Sequence, residues 1–379
     1  MITATYHSLH HTQYRTNYAL FVPLYDYIYG TVDKSNDILY EKTRERKGDS
    51  PDVVHLTHLT TPESIYHLRL GFASLASKPY TSKWYFWLIW PITLCSMIAI
   101  RIFNYTFIIE RNVCKNLNLQ IWAIPKYRVQ YYIQSQRENI NKLIEEAIIE
   151  ADQKGIKVLS LGLLNQVEEL NKNGELYIRR HPHLKIKVVD GSSLAVAIVL
   201  NSIPKGTAHV VLGGHLSKVG YFIAHALCQR GVKVVTLGGG EEDYDKLKAK
   251  LTHESSANLV RSECYASKVW IIGDKLSKEE QFKAPKGTMF IPFSPFPPKK
   301  ARKDCSYFHT PAMIIPKHLE NVDSCENWLP RRVMSAWRIA GILHALEDGN
   351  EHECGDMIFD IDKVWKASLD HGFLPLNMD

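Results

Sequence analysis

Hydrophobic and polar positions change their pattern along this chain near residue 155. Residues 131–154 have the apolar spacing of an amphipathic helix, which is predicted to end at Gly155. Short β-branched runs then recur at 157–161, 185–189, 209–212, 232–237, 269–272, 288–291 and 312–315. Helical segments separate several of these runs, and a last helix is predicted over 330–346. The alternation predicts an α/β fold with a mostly parallel, doubly wound sheet.

The N-terminal third contains a long apolar run. Residues 84–100 carry no charge over 17 positions, and Trp84, Trp87 and Trp90 cluster at one end. That length lies at the lower edge of a bilayer span, and the tryptophans are typical of a membrane interface. We expect membrane insertion, either spanning or re-entrant; a buried helical hairpin is the alternative. The chain is therefore divided into a helical, membrane-associated part at 1–124 and a soluble α/β domain at 125–379.

Residues 208–237 form one strand–turn–helix–strand pattern. An apolar run ends in Gly213, a polar turn and a helical segment follow, Gly231 ends the helix, and a second β-branched run comes after it. This is a βαβ unit of the dinucleotide-binding type, so the C-terminal domain is predicted to be Rossmann-like. Glu241 and Glu242 follow the second run, where a ribose-binding carboxylate is expected.

The glycine spacing of this unit departs from the dinucleotide pattern. Gly213 and Gly214 are adjacent, and a G-x-x-x-G-x-G pattern that uses Gly214 and Gly220 finds Lys218 at the position of its middle glycine. Lysine could neutralise a phosphate, or it could fill the space that a pyrophosphate needs. Two interpretations stay open: a working NAD or NADP site at these four residues, or a Rossmann scaffold that binds no nucleotide.

Composition narrows the class of partner. The net charge is only +6 over 379 residues, and no dense basic block with interleaved aromatic residues stands out, so no nucleic-acid partner is expected. The seven cysteines are widely spaced without a C-x-x-C motif, which favours free thiols in a reducing compartment.

Histidines near the N-terminus supply candidate metal ligands. His7, His10 and His11 form H-x-x-H-H, and on a helix these positions share one face. Neutral imidazole suits iron, zinc or copper, although a solvent-exposed helix rich in histidine gives the same spacing. His55 and His58 belong to a second, looser group.

Several long peptides together resemble a known family. They are YHSLHHTQYRTNYALF, VVHLTHLTTPESIYHLRLG, LNLQIWAIPKY, VVDGSSLA and ENWLPRRVMSAWRIAGILHALE. They are similar to the plant eceriferum-type very-long-chain aldehyde decarbonylases, the branch of the fatty acid hydroxylase superfamily that forms wax alkanes. The similarity extends over nearly the whole chain.

The resemblance implies a histidine-ligated di-iron centre in the endoplasmic reticulum membrane and a cytosolic Rossmann-like domain. It implies conversion of a very-long-chain aldehyde or acyl substrate to alkanes for cuticular wax, with a redox partner and other wax-synthesis subunits. His7, His10 and His11 coincide with the last of the family's three histidine boxes. For His55 and His58 a role near the metal is a weaker implication.

One departure from the family pattern leaves the function open. Two further histidine boxes precede this one in the family, whereas here Met1 lies six residues before His7. Three histidines do not complete a di-iron site. Three hypotheses follow. The chain is a decarbonylase whose sequence is truncated, or a decarbonylase whose metal site is completed by another subunit in a homo- or hetero-oligomer. Alternatively, it is a non-catalytic subunit of the wax-forming complex. An NADPH-dependent acyl or aldehyde reductase is a further alternative.

Overall fold

The fold is described from a computed structural model. It describes residues 15–18, 24–33, 50–59, 95, 98, 105–237, 241–249, 253–261, 266–319, 326, 328–330 and 332–376. His7, His10 and His11 lie outside the described residues, as does most of the apolar run at 84–100.

A five-stranded sheet forms the first half of the described fold. Its strands are β1 (Val53–Leu59), β2 (Phe107–Cys114), β3 (Leu117–Tyr127), β4 (Val158–Leu161) and β5 (Lys187–Val189), in the order β2-β3-β1-β4-β5. The strands are parallel except for β2, which runs antiparallel to β3. All seven residues of β1 are buried, as expected for a central strand covered on both faces.

A second, six-stranded parallel sheet follows. Its strands are β6 (His209–Gly213), β7 (Lys233–Thr236), β8 (Leu259–Arg261), β9 (Val269–Ile272), β10 (Met289–Pro292) and β11 (Ser306–Tyr307). Their order, β11-β10-β9-β6-β7-β8, is the 3-2-1-4-5-6 order of a Rossmann sheet read from the opposite edge. The predicted parallel α/β fold is therefore confirmed, but it contains two parallel sheets where one was expected.

The C-terminal region differs from the sequence prediction. A small antiparallel sheet joins β12 (Ala312–Ile314), β13 (Val333–Ser335) and β14 (Leu374–Pro375). The helix expected over 330–346 begins only at Ala336, because the preceding residues pair with β12 as strand β13.

The described helices pack around these sheets. They are α1 (Leu24–Ile28), α2 (Arg128–Tyr131), α3 (Arg137–Gln153), α4 (Glu168–Asn171), α5 (Glu175–Arg180), α6 (Ser192–Ser202), α7 (Lys218–Gln229), α8 (Glu241–Ala249), α9 (His253–Ser256), α10 (Lys278–Phe282), α11 (Ala336–Leu346) and α12 (Ile361–Asp370). Short 3-10 helices occur at Gln134–Gln136 and Leu163–Gln166.

Helix α6 lies at the centre of the molecule. Its sequence is apolar on all sides and its first nine residues are buried, as expected for a helix enclosed by other elements. It packs against α7, α11 and α12. One hydrophobic cluster contains Val53 and Val158 of the first sheet together with Val210 and Ile271 of the second. The two sheets therefore share a core.

The membrane prediction stays a prediction. Within the ranges that the structure describes, no helix is long and apolar enough to cross a bilayer. Of the run at 84–100, only Cys95 and Ile98 belong to those ranges, and Ile98 is exposed.

The domain boundary predicted near residue 125 cuts through the first sheet. Strands β1 and β2, and most of β3, lie before this residue, and β1 lies between β3 and β4. The α/β fold therefore starts at Val53 at the latest. The sequence pattern missed this because the VVHLTHL of β1 was interpreted as a histidine group, not as a buried strand.

A fragment of residues 131–379 is predicted not to fold. It lacks β1 and β3, so β4 loses its neighbour β1 and keeps only β5. The core loses Leu56, Ile121 and Ile124, each at most 1% exposed. Thermal unfolding followed by circular dichroism should show no cooperative transition for this fragment. A fragment of residues 50–379 in mild detergent is the control and should unfold cooperatively; equal transitions for both would contradict the assignment of β1 to the sheet.

Candidate functional site: the cleft between the two parallel sheets

The carboxyl ends of strands from both sheets face one cleft with a cavity volume of about 200 Å³. Leu163 and Ser192 line it from the first sheet, and His215, Asp274 and Phe293 line it from the second. Ligands of open α/β sheets bind in crevices outside the carboxyl ends of the strands, so this cleft is the candidate site.

A buried carboxylate occupies the N-terminus of α6 behind this cleft. Strand β5 ends at Val189, and Gly191 then adopts a positive φ of 72° where a Cβ would lie 2.8 Å from Trp337 Cα. The backbone N–H groups of Gly191 and Ser193 donate to the Glu353 carboxylate at 3.1 and 2.6 Å, and the Ser193 hydroxyl also donates to it. An anion is favoured at this helix end, and the protein supplies its own.

A buried ion pair joins the same turn to helix α7. Lys218 Nζ donates to Asp190 Oδ2 at 2.6 Å, and the two side chains are 3% and 0% exposed. Asp190 also accepts the backbone N–H of Ser192 at 2.9 Å. Since Asp190 follows the first sheet and Lys218 follows β6, the pair ties the two sheets together at the cleft.

Burial controls the protonation of these carboxyl groups. It raises the pKa of Asp190, against the opposing effect of Lys218. Burial, followed by repulsion from Asp190, raises the pKa of Glu353 to about 7. One cation thus neutralises one of two neighbouring buried carboxyl groups, and the second keeps its proton more readily than an exposed glutamate does.

A second polar contact crosses the cleft near its mouth. His215 Nε2 lies 3.4 Å from Glu169 Oε1, with both side chains partly exposed. The hydrogen bond with His215 lowers the pKa of Glu169 to about 2, so this carboxyl group is ionised at neutral pH. On the side of the cleft formed by the second sheet, burial raises the pKa of Asp274, although the hydrogen bond of Asp274 with Ser294 opposes the shift.

The glycines of the predicted nucleotide turn pack against the protein itself. A Cβ at Gly213 would overlap the Leu237 side chain, and one at Gly220 would lie 2.9 Å from Phe293 Cζ. Gly214 has a φ of 82°, and a Cβ there would lie 2.8 Å from the carbonyl oxygen of Asp274. The structure therefore brings the four predicted residues together, but uses the glycines for its own close packing.

The crevice at the topological switch point is closed. In Rossmann folds the loops after the first and fourth strands diverge there and admit the ligand. Here the backbone N–H of His215, after β6, donates to the carbonyl of Asp274, after β9, at 2.7 Å. Lys218, at the position of the middle glycine, is directed to Asp190. The residues present do not fit a dinucleotide bound in the usual way.

The candidate histidines are not brought together. His55 and His58 lie three positions apart on β1, so their side chains point to opposite faces of the sheet. His55 Nδ1 is 2.8 Å from Ser160 Oγ, and His58 Nδ1 donates to the Leu59 carbonyl at 2.9 Å. Burial lowers their pKa values to about 3 and about 4, so both rings are neutral.

Of these two histidines, His58 has a buried nitrogen without a hydrogen-bond partner, as His344 has elsewhere in the described fold. Its Nε2 is buried and has no hydrogen-bond partner among the described residues, while its ring lies 4.5 Å from that of Tyr131. Neutral imidazole of this kind suits a metal ion, yet the described ranges hold no group of three or more histidine, cysteine, aspartate or glutamate residues that could bind one. One nitrogen does not make a metal site, and His7, His10 and His11 are not described.

Sequence reasoning missed the buried charges behind the cleft. An aspartate and a glycine directly after a buried run, as in VVDGSS, indicate a turn at the carboxyl end of a strand, and this signal could have identified Asp190. Glu353 contacts that turn from 160 residues away in sequence, and no local pattern marks it.

The fold and the site define a Rossmann-like α/β protein whose nucleotide crevice is filled by its own backbone. The profile of the family described as "CER1-like, C-terminal domain" matches residues 210–375. Near full-length similarity to curated proteins extends the match over the rest of the chain. The chain belongs to the CER1-like family, which confirms the resemblance found in its sequence.

Two relatives illustrate the similarity. The chain is 59% identical over 379 residues to the very-long-chain aldehyde decarbonylase CER1 of Arabidopsis thaliana, covering 99% of this chain and 60% of that protein. It is 55% identical to the very-long-chain aldehyde decarbonylase GL1-5 of Oryza sativa subsp. japonica, covering 99% and 61%. The chain thus spans about 60% of the length of these relatives.

Among solved structures, L-tryptophan dehydrogenase from Nostoc punctiforme is similar over 85% of this chain and 79% of that protein. The sequence identity is 10% and the TM-score is 0.33, so this likeness carries no argument about ligands.

Breaking the buried ion pair is predicted to destabilise the protein strongly. Lys218→Met should lower the free energy of unfolding by about 3–5 kcal/mol, because it leaves Asp190 buried without its cation. The double variant Lys218→Met/Asp190→Asn should recover most of this loss. The measurement is urea unfolding followed by tryptophan fluorescence.

Lys142→Met is the matched control for this experiment. Its partner Glu146 is 3.9 Å away and both side chains are mostly exposed, so its loss should be below about 0.5 kcal/mol. Similar losses for Lys218→Met and Lys142→Met would show that the buried pair does not hold the cleft together.

The chain is predicted not to bind NADPH. Titration followed by NADPH fluorescence should show no saturable binding up to about 1 mM, the upper end of ordinary substrate affinities. The variant Lys218→Gly/Asp190→Asn completes the glycine pattern but leaves the bridge between His215 and Asp274, so it should not bind either. Binding by this variant alone would show that the lysine, and not the bridge, excludes the nucleotide.

Proposed function

We propose that this chain forms the C-terminal part of a very-long-chain aldehyde decarbonylase of wax alkane biosynthesis. The observation that carries the proposal is the 51–59% identity, over nearly the whole chain, to members of the CER1-like family, several of which are named for that activity. The substrate is then a very-long-chain aldehyde, and the site of action is the endoplasmic reticulum membrane.

The described cleft is small for this substrate. Its volume of about 200 Å³ is below the range of about 300–1,000 Å³ typical of pockets for drug-sized ligands, so it does not enclose a very long alkyl chain. An aliphatic chain partitions into a bilayer by roughly 0.8 kcal/mol per CH₂ group. Delivery of the aldehyde through the membrane is therefore favoured.

The proposed chemistry belongs to the histidines of the N-terminal part. His7, His10 and His11 are proposed as iron ligands, with further ligands from sequence or subunits beyond these three. Bound iron would supply the Lewis acidity and redox chemistry that aldehyde cleavage needs, with electrons from a redox partner. Among the described residues, the Nε2 of His58 on β1 is buried without a hydrogen-bond partner, and we propose it as a candidate for a further nitrogen donor.

A second function is favoured by the closed switch point. The N-terminus of α6 is engaged with Glu353, Lys218 at the start of α7 is paired with Asp190, and the glycine turn is filled. These features favour a structural role for the α/β part, as the docking module of a non-catalytic subunit in the wax-forming complex. They disfavour an NADPH-dependent reductase, which needs an open crevice.

The decisive experiment measures iron and alkane together. The 379-residue chain is expressed in microsomes supplied with a very-long-chain aldehyde, and His10→Ala is predicted to lose both iron and alkane. His183→Ala is the control, because His183 is exposed and lies outside the cleft. Alkane at an unchanged level in His10→Ala would refute the iron assignment, whereas absence of iron and alkane in the parent chain would favour the non-catalytic subunit.

A further inference from the structure

Two segments that are about 20 residues apart in sequence form one surface beside the second sheet. They are helix α10, which precedes β10 in the chain, and the loop at 297–305, which follows it. The side chain of Gln281, 1% exposed, donates to the Lys299 carbonyl at 3.1 Å and accepts the backbone N–H of Ala301 at 3.3 Å. Arg302 Nη1 donates to the Gln281 carbonyl at 3.3 Å. The surface is therefore held in a fixed shape.

The stretch of chain that contains this surface is rich in basic residues. Residues 275–304 contain eight basic and three acidic residues, a net charge of +5 in a chain whose total is +6. The lysines on this surface and in the turn that follows α10 are all exposed; they are Lys278, Lys283, Lys286, Lys299, Lys300 and Lys303. Sequence reasoning missed the cluster because prolines and a β-strand separate its members along the chain.

An exposed aromatic side chain lies within this set of lysines. Phe282, the last residue of α10, is 64% exposed. The guanidinium carbon of Arg302 lies 5.8 Å from its ring centroid, but Arg302 is already paired with Asp304 through contacts of 2.9 and 2.7 Å. The outward charge therefore comes from lysines, and Glu279 is the exposed acid of α10.

We propose that this lysine patch, Phe282 with the six lysines, binds the surface of an anionic membrane. Lysines with exposed aromatic side chains are typical of surfaces that lie in the headgroup region, where the charges meet lipid phosphates and carboxylates and the ring enters the acyl boundary. Protein–protein interfaces differ, because they are depleted in lysine and enriched in arginine. The proposal goes beyond the decarbonylase function and does not depend on it.

The contact has a consequence for the orientation of the α/β part. The patch lies beside β11, the edge strand of the second sheet, and Lys275 at the cleft precedes α10 by three residues. Binding through the patch places this edge of the Rossmann-like sheet against the lipid headgroups. The cleft then opens close to the membrane surface.

Hydrogen exchange of the full chain on vesicles tests the proposal. The probes are vesicles of phosphatidylcholine alone and vesicles that also contain phosphatidylserine, because the apolar run at 84–100 is itself expected to bind either kind. Backbone amides of residues 278–286 and 299–305 should exchange several-fold more slowly on the anionic vesicles only. Raising the salt concentration should remove the difference, since screening weakens the attraction.

Matched variants distinguish the effect of the patch on exchange from the effect of the net charge. Lys278→Gln, Lys286→Gln, Lys300→Gln and Lys303→Gln combined should abolish the slowing, as each lysine near an anionic surface contributes on the order of fivefold in binding. The control combines Lys185→Gln, Lys205→Gln, Lys233→Gln and Lys366→Gln, which are exposed elsewhere and lower the net charge equally. It should leave the slowing unchanged.

Three results would overturn the proposal. They are equal exchange on neutral and anionic vesicles, slowing that survives in the patch variant, and slowing that the control variant loses as well. Phe282→Ser is a further check that leaves all charges in place, and it should reduce the slowing in part. Slowing by a soluble acidic protein but by neither kind of vesicle would assign the patch to a protein partner and equally refute membrane binding.

Discussion

The buried pair of Lys218 and Asp190 is the interaction on which the arrangement of the two sheets depends. Asp190 directly follows β5 and Lys218 begins α7 after β6. Their side chains are only 0% and 3% exposed, so little water can replace either partner. A charge left alone in such a place costs several kcal/mol, so the two sheets separate only at a large free-energy cost. Glu353 adds a second anchor, because its carboxylate holds the N–H groups that begin α6.

These internal charges explain how a Rossmann strand order exists here without an open nucleotide crevice. In such a fold, helix N-termini and glycines commonly serve a bound phosphate. In this protein Lys218 at the start of α7 is paired with Asp190, and the backbone of Asp274 closes the turn that contains Gly214. Strand order and glycine content therefore identify the architecture but do not by themselves identify a ligand.

Much of the second sheet could be predicted from the sequence, because its strands are short β-branched runs separated by helices of regular apolar spacing. The first sheet was harder. Its central strand, β1, is buried on both faces and contains two histidines, so neither alternation nor composition marked it as a strand. The glycine turn was located correctly, but its occupation by Phe293 and Leu237 is a tertiary contact that the spacing of glycines does not encode. The hydrogen bonds of Glu353 to the start of α6 are also tertiary contacts, and no local sequence pattern encodes them.

The end of β1 and the start of β2 lie close together at the same end of the first sheet. His58, near the end of β1, pairs with Ile124 of β3, and Phe107, at the start of β2, pairs with the adjacent Ala123. Neighbouring strands are about 4.8 Å apart, so the chain leaves the sheet and re-enters it at points separated by roughly 10 Å on the same edge. A single passage through a bilayer would instead separate its ends by about 30 Å, on opposite sides. The end of β1 and the start of β2 therefore lie on the same side of any bilayer that the protein contacts.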